Sequence, residues 1–156
     1  MDVDGTLTDG RIYMGGNGEM MKAFNAKDGY GITQILPRLG IIPVIITGRT
    51  SQIVENRAIE LKITEVHQGK LDKVSVIESL MEKNGCCRDN IAYIGDDLND
   101  KAGMDVCGLT ACPADAHKAI KDTVDYVCDH IGGDGAVRDF IDYIEERYEA
   151  SSDTVR

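Results

Sequence analysis

The sequence predicts an α/β fold: a Rossmann-like, doubly wound parallel sheet that carries a small β-hairpin insertion. Three observations predict it. Short apolar runs alternate with amphipathic stretches of helical period, joined by short links, the pattern of a parallel sheet covered on both faces. The 156 residues amount to about one domain, on the usual prior of roughly 100–200 residues each. A Gly-rich segment near the start interrupts the alternation with the signature of a hairpin.

Taken in order, Arg11–Met14 and Met20–Phe24 flank Gly15-Gly16-Asn17-Gly18 and are expected to pair across that turn, a hairpin over about 11–24. One helix fits between it and the next strand. Ile41-Ile42-Pro43-Val44-Ile45-Ile46 is apolar and β-branched, like a strand buried on both faces, and Pro43 sets its start. Residues 51–61 put Ile53, Val54, Ala58 and Leu61 on one helical face, behind Thr50 and Ser51 as possible caps. Residues 71–83 repeat the pattern with Leu71, Val74, Ile77, Leu80 and Met81. Ile91-Ala92-Tyr93-Ile94 reads as a strand, followed by a helix from about Leu98. Leu109–Cys112 and Tyr126–Cys128 read as strands separated by a helix around Ala114–Lys121, and a last helix carries Val137, Phe140, Ile141 and Ile144. A single domain is expected over 1–148, with a frayed polar tail over 149–156.

Composition excludes several functions. Lys and Arg number 17 against 27 Asp and Glu, a formal charge of −10, so the long-range field repels nucleic acid and anionic membrane. An aromatic share of 5% without Trp leaves little to stack bases on. No apolar run approaches the roughly 18–20 residues of a membrane span, and no basic leader precedes an apolar stretch. The 5 cysteines include no CxxC pair, and adjacent Cys86 and Cys87 suit neither a disulfide staple nor a zinc site. Reduced thiols in the core of a cytoplasmic protein are expected.

In open α/β sheets ligands bind beyond the carboxyl ends of the strands, which directs attention to four segments. Asp2-Val3-Asp4-Gly5-Thr6 places two carboxylates at i and i+2 ahead of a turn; one can attack phosphorus while the other handles a proton, although a solvated acidic turn reads the same. Thr47-Gly48-Arg49 offers a hydroxyl and free N–H groups for an anion, or a simple helix cap. Lys70 and Lys73 both start a helix after His67-Gln68-Gly69 and are candidate phosphate neutralisers or solvated lysines. Gly95-Asp96-Asp97-Leu98-Asn99-Asp100 crowds carboxylates after a buried strand. A helix N-terminus favours one or two of them, and a hard cation accounts better for all.

In this order and spacing, DxDGT, hhhT, Lys and GDDxxD resemble the haloacid dehalogenase superfamily of phosphotransferases, from Asp2 to Arg138. The resemblance implies that Asp2 is the nucleophile of an aspartyl-phosphate mechanism and Asp4 the general acid/base. It implies Thr47, Gly48, Arg49 and Lys73 as phosphate- or substrate-binding residues. Mg²⁺ is implied on Asp2, the backbone carbonyl of Asp4, and Asp96, with Asp97 and Asp100 in support. Neither gap between the motifs is long enough for a cap domain.

The extended match is to capless phosphatases of 3-deoxy-D-manno-octulosonate 8-phosphate. It is carried by Asp9-Gly10-Arg11-Ile12-Tyr13-Met14-Gly15, Lys22-Ala23-Phe24-Asn25, Asp28-Gly29-Tyr30-Gly31-Ile32, His67-Gln68-Gly69, Ala114-Asp115-Ala116-His117 and Gly132-Gly133-Asp134-Gly135-Ala136-Val137-Arg138. That resemblance implies a small phosphorylated sugar acid as substrate. It also implies a homotetramer in which hairpins meet and the Gly-rich segment helps close a site. Two rivals are a nonulosonate 9-phosphate phosphatase, whose residue after Thr-Gly resembles an acid where this chain has Arg49, and a non-catalytic assembly module of an acylneuraminate cytidylyltransferase. Among other candidates, His67 and Arg138 could approach the site, His117 falls in a helical first turn, and His130 has no evident partner. One departure stands out: only Met1 precedes Asp2, where a buried strand of several residues is expected. The expectation is that the chain begins downstream of its natural start and lacks that strand's ladder hydrogen bonds.

Overall fold

The structure, a computed structural model, describes the backbone of residues 1–153 and the side chains of residues 1–148. β1 (Tyr13–Gly15) and β2 (Gly18–Met21) form the antiparallel hairpin, with Gly15 opposite Gly18. The turn is only Gly16-Asn17, so the flanking glycines pair instead of looping, while at the outer ends the strands stop short of the expected Arg11 and Phe24, past a register irregularity between Tyr13 and Met14. Asn25 then caps α1 (Ala26–Tyr30), its Oδ1 accepting from the Lys27 N–H at 2.8 Å. A π-helical turn (Gly31–Ile35) carries the rod into α2 (Leu36–Arg38), which contains Pro37.

The parallel sheet is built from β3 (Val44–Ile46) beside β4 (Glu65–His67), and from β5 (Ala92–Ile94), β6 (Leu109–Cys112) and β7 (Tyr126–Val127) in that order. Met1 and Asp2 lie between the two parts and bond to both. Met1 N donates to Val44 O (2.8 Å), Ile46 N donates to Met1 O (3.0 Å), and Asp2 N donates to Ile94 O (3.0 Å). The ladder bonds expected to be missing are therefore present at these two residues. They set Asp2 at the carboxyl end of the sheet's centre.

The connecting helices take their starts from local caps. Ser51 caps α3 (Gln52–Glu60), Asp72 caps α4 (Lys73–Asn84), and Gly85, at φ 61°, closes α4 in the left-handed conformation. Asp97 caps α5 (Leu98–Asp105). The helix expected from Ala114 begins only at α6 (Lys118–Lys121). The preceding residues are committed elsewhere: Ala114 N donates to His130 O, His117 N to Asp96 O, and the Asp115 carboxylate accepts from Gly132 N. His117 is thus the cap, its Nδ1 accepting from Ala119 N, and does not lie within the first turn. The final helix, α7 (Ala136–Asp153), continues past Tyr148 into the stretch expected to be a frayed tail; residues 154–156 of that stretch lie outside the described ones.

The core lies on both faces of the sheet, as a doubly wound fold requires. Ile32, Ile35, Val54, Ala58, Val137, Phe140 and Ile141 pack with Val3 and Ile45 on one side. Ile77, Met104 and Ile120 pack with Ile46 and Tyr93 on the other. Each fully buried Ile or Val stabilises by about 1.5–3 kcal/mol over an exposed one. Cys107, Cys112 and Cys128 are small core residues whose thiols burial pushes up to about 11, 11 and 12, so they stay protonated. Among the described residues no cap domain interrupts the fold, and no helix is long and apolar enough to cross a membrane.

Candidate active site

Three strand ends and the first turn of α4 converge on Asp2. Its side chain is buried, and Oδ1 accepts from Lys73 Nζ at 2.7 Å. Lys73, the first residue of α4, also donates to Asp100 Oδ1 at 2.5 Å. Of the two candidate lysines only Lys73 enters the site; Lys70 is exposed, and its backbone N–H bonds to Thr47 O. Asp100 is wholly buried and saturated with donors. Tyr93 Oη donates to Oδ1 at 2.9 Å, and the N–H groups of Asp96 and Asp97 donate to Oδ2 at 3.0 and 3.2 Å. These bonds tie Asp100 to Lys73 and to the loop after β5. Asp97 is exposed and turns to the start of α5, where Oδ1 accepts from Leu98 N at 2.7 Å.

Asp2, Asp96 and Asp100 each offer a carboxylate oxygen within 4.8 Å of the others. Burial pushes Asp96 up to about 7, and the charges of Asp2 and Asp100 add to it. Asp2 is also raised, by burial and by Asp100, against the pull of Lys73. Burial works against the charge on Lys73, yet the two carboxylates outweigh it and raise its pKa. One ammonium among three carboxylates leaves excess negative charge, and an all-oxygen donor set fits a hard divalent cation. The cradle is tight. Gly5 stands at φ 95°, and a Cβ there would come 2.1 Å from Asp96 Oδ2. Behind it, a Cβ on Gly132 would fall 2.0 Å from Gly5 O, so the Gly-rich segment braces this loop within its own chain.

Asp4 does not share the Asp2 cluster with its side chain. Just before the turn at Gly5, its carboxylate meets a different pair of cations: Oδ1 accepts from Lys22 Nζ and Oδ2 lies 3.6 Å from Arg49 Nε. Glu19 joins them, with Oε1 2.9 Å from Lys22 Nζ and 3.5 Å from Arg49 Nη2. Asp2, Asp4, Thr47, Gly48, Arg49, Asp96, Asp97 and Asn99 line one open cavity of about 290 Å³. Sequence reading missed Asn99, Glu19 and Lys22. Glu19 and Lys22 are charged residues on either side of apolar Met20 and Met21 in the hairpin, a pattern that does not by itself say which side chains face Asp4.

The remaining candidates stay outside the cavity. His67, at the end of β4, has Nε2 3.4 Å from Glu65 Oε2. His130 has a partner after all: Asp139, at 2.9 Å from its Nδ1, hydrogen bonds to it and raises its pKa. Arg138 donates its backbone N–H to Asp28 and its Nε to Asp142, with the guanidinium over the Tyr30 ring.

A family model for haloacid dehalogenase-like hydrolases matches residues 45–141. The 3-deoxy-D-manno-octulosonate 8-phosphate phosphatase of Escherichia coli is 46% identical over 144 residues, 92% of this chain and 76% of that protein. The crystal structure of the Yersinia pestis phosphatase of that name has a TM-score of 0.87 at 45% identity, covering 90% of this chain and 76% of that one. The Moraxella catarrhalis phosphatase, crystallised with magnesium, phosphate and KDO, has a TM-score of 0.89 at 38% identity, covering 100% and 91%. The chain therefore belongs to the haloacid dehalogenase-like hydrolases, with the architecture of their capless octulosonate 8-phosphate phosphatases.

Proposed function

We propose that this protein is a Mg²⁺-dependent phosphatase of a sugar-acid phosphate, 3-deoxy-D-manno-octulosonate 8-phosphate in the first place. The observation that carries the reading is Asp2, held by Lys73 at 2.7 Å within the acidic trio and facing the same cavity as Asp4. Asp2 attacks phosphorus in line, forming an aspartyl-phosphate as the P–O bond to the sugar breaks, and Asp4 gives its proton to the departing oxygen. Asp4 then takes a proton from water as the water's oxygen attacks the same phosphorus, and Asp2 is released. Lys73, the Thr47 hydroxyl and the Gly48 N–H receive the phosphoryl oxygens. Asp2, Asp96 and the Asp4 carbonyl would hold Mg²⁺, which supplies neutralisation of phosphoryl charge when bound.

Arg49, half-exposed at the cavity mouth, suits a substrate carboxylate and favours the octulosonate over a nonulosonate 9-phosphate. The full set of Asp2, Asp4, Thr47, Lys73 and Asp96 speaks against a non-catalytic assembly module. The partner in assembly is a second copy of the chain, as a tetramer: Ile12, Met14, Met20 and Met21 of the hairpin are all exposed. One domain over 1–148 and a cytoplasmic setting, in keeping with the free cysteines, complete the reading. The test is phosphate release from octulosonate 8-phosphate, nonulosonate 9-phosphate and 4-nitrophenyl phosphate, with and without Mg²⁺. Turnover of the first, lost on chelation and in Asp2→Asn, is expected. Failure with all three would return the chain to an assembly role.

A further inference from the structure

Two cations of different character hold Asp4. Lys22 is sealed in, its side chain 1% exposed, whereas the Arg49 side chain is 47% exposed and ends at the cavity mouth. Asp4 precedes the turn at Gly5, and Lys22 is the one hydrogen-bond donor to its carboxylate among the described residues. The lysine is fixed in turn. It stands directly after β2, and Glu19 contacts the same ammonium at 2.9 Å. Glu19 is tied to the far wall because Oε2 accepts from Ser51 Oγ, the cap of α3. A buried ammonium is costly unless paired, and here Asp4 and Glu19 pair it. Lys22 therefore has one place to be, and the Asp4 carboxylate is confined with it. Arg49 makes only long contacts to Asp4 and Glu19, 3.6 and 3.5 Å, and is free to turn to a ligand.

We propose that Lys22 is a positioning residue of the reaction, holding the Asp4 carboxylate in the cavity where it delivers and recovers the proton. The inference rests on the assignment of Asp4 as acid/base. It makes the hairpin part of the catalytic apparatus, with Glu19 and Lys22 turned to the site and Met20 and Met21 turned outward. Lys22 itself transfers nothing; the proton passes between Asp4, the leaving oxygen and water.

The experiment compares Lys22→Met, Lys22→Arg and Asp4→Asn in the full chain with Mg²⁺, on octulosonate 8-phosphate and on 4-nitrophenyl phosphate. The sugar alkoxide needs a proton to leave and nitrophenolate does not. In Lys22→Met, kcat on the sugar phosphate should fall about 100-fold with KM within about threefold. With 4-nitrophenyl phosphate a burst of nitrophenolate should precede slow turnover, because phosphoryl-Asp2 forms and then waits for its base. Lys22→Arg should recover part of kcat. Lys22→Gln, which keeps a neutral donor in the pocket, carries the same comparison if the methionine variant does not fold. Unchanged kcat, or equal losses on both substrates without a burst, would overturn the role of Lys22. Wild-type turnover of the sugar phosphate by Asp4→Asn would instead remove the assignment of Asp4, and the inference with it.

Discussion

Lys73 Nζ lies 2.7 Å from Asp2 Oδ1, and both side chains are buried. The contact joins the first turn of α4 to the centre of the sheet. Removing one partner of a buried pair leaves the other charge without compensation, at a cost of about 3–5 kcal/mol. Lys73→Met strands both Asp2 and Asp100, so urea unfolding should register a loss of about that size alongside lost turnover. Asp2→Asn removes a charge from an over-acidic trio and should leave the urea midpoint near wild type while abolishing turnover. Equal destabilisation by the two variants would contradict this account of the trio.

The same excess of negative charge predicts how the protein responds to a cation. Mg²⁺ that binds the folded chain alone stabilises it by about 2.7 kcal/mol at 100 times its Kd. Thermal melting in Mg²⁺ against a chelator should show a clear upward shift, reduced in Asp96→Asn. Gly5→Ala should lose the shift as well, since its methyl would occupy the space of the Asp96 carboxylate. An Mg²⁺ response that survives in both variants would place the cation elsewhere.

The parts of this site that were legible in the sequence are those fixed by neighbours in the chain. The strand-to-turn motifs around Asp2, Thr47 and Asp96 announce themselves because a buried apolar run must end where a polar loop begins. Lys73 could be separated from Lys70 only by the family resemblance, because both sit at the start of one helix and the choice depends on which one the helix points at Asp2. Lys22 was out of reach for a related reason. Its two partners, Asp4 and Glu19, meet only when the hairpin folds over the sheet. The shortened α6 follows the same logic: Asp115 and His117 form bonds to Gly132 and Asp96 that no local pattern encodes.

Asp28 gives a prediction in pH. It lies on α1, buried, with Oδ1 accepting from the Arg138 N–H at 2.8 Å and Oδ2 without a hydrogen-bond partner. Burial pushes its pKa from 3.8 to about 6; Asp139 and Asp134 add to the rise, and the Arg138 N–H and Arg57 oppose it. The folded chain thus holds this proton more tightly than the unfolded one. The contribution of Asp28 to stability rises as pH falls through about 6 and levels off below 3.8. Asparagine has no such titration and keeps an acceptor for Arg138. The stability of Asp28→Asn relative to wild type should therefore decline by about 1.4 kcal/mol between pH 8 and pH 5. Urea unfolding at the two pH values measures the difference, in which the other titrating groups cancel. A difference independent of pH would mean that Asp28 titrates alike in both states.

The hairpin predicts a link between assembly and the site. Met14, Met20 and Met21 are 62%, 68% and 51% exposed, an outward apolar face on an element whose inward face holds Asp4 through Lys22. A two-stranded ribbon is marginal by itself, so what covers its outer face bears on how firmly its inner face is held. Met20 is exposed and is not among the residues that line the cavity, and a charge there opposes burial against another copy. Met20→Asp should shift light scattering from the proposed tetramer towards smaller species, and kcat should fall with it. Wild-type activity per chain should also decline on dilution through the dissociation range, with the burst of nitrophenolate appearing as it does in Lys22→Met. A Met20→Asp protein that remains tetrameric would refute the hairpin as the contact. A fully active monomer would show that the ribbon holds Lys22 without help from a neighbour.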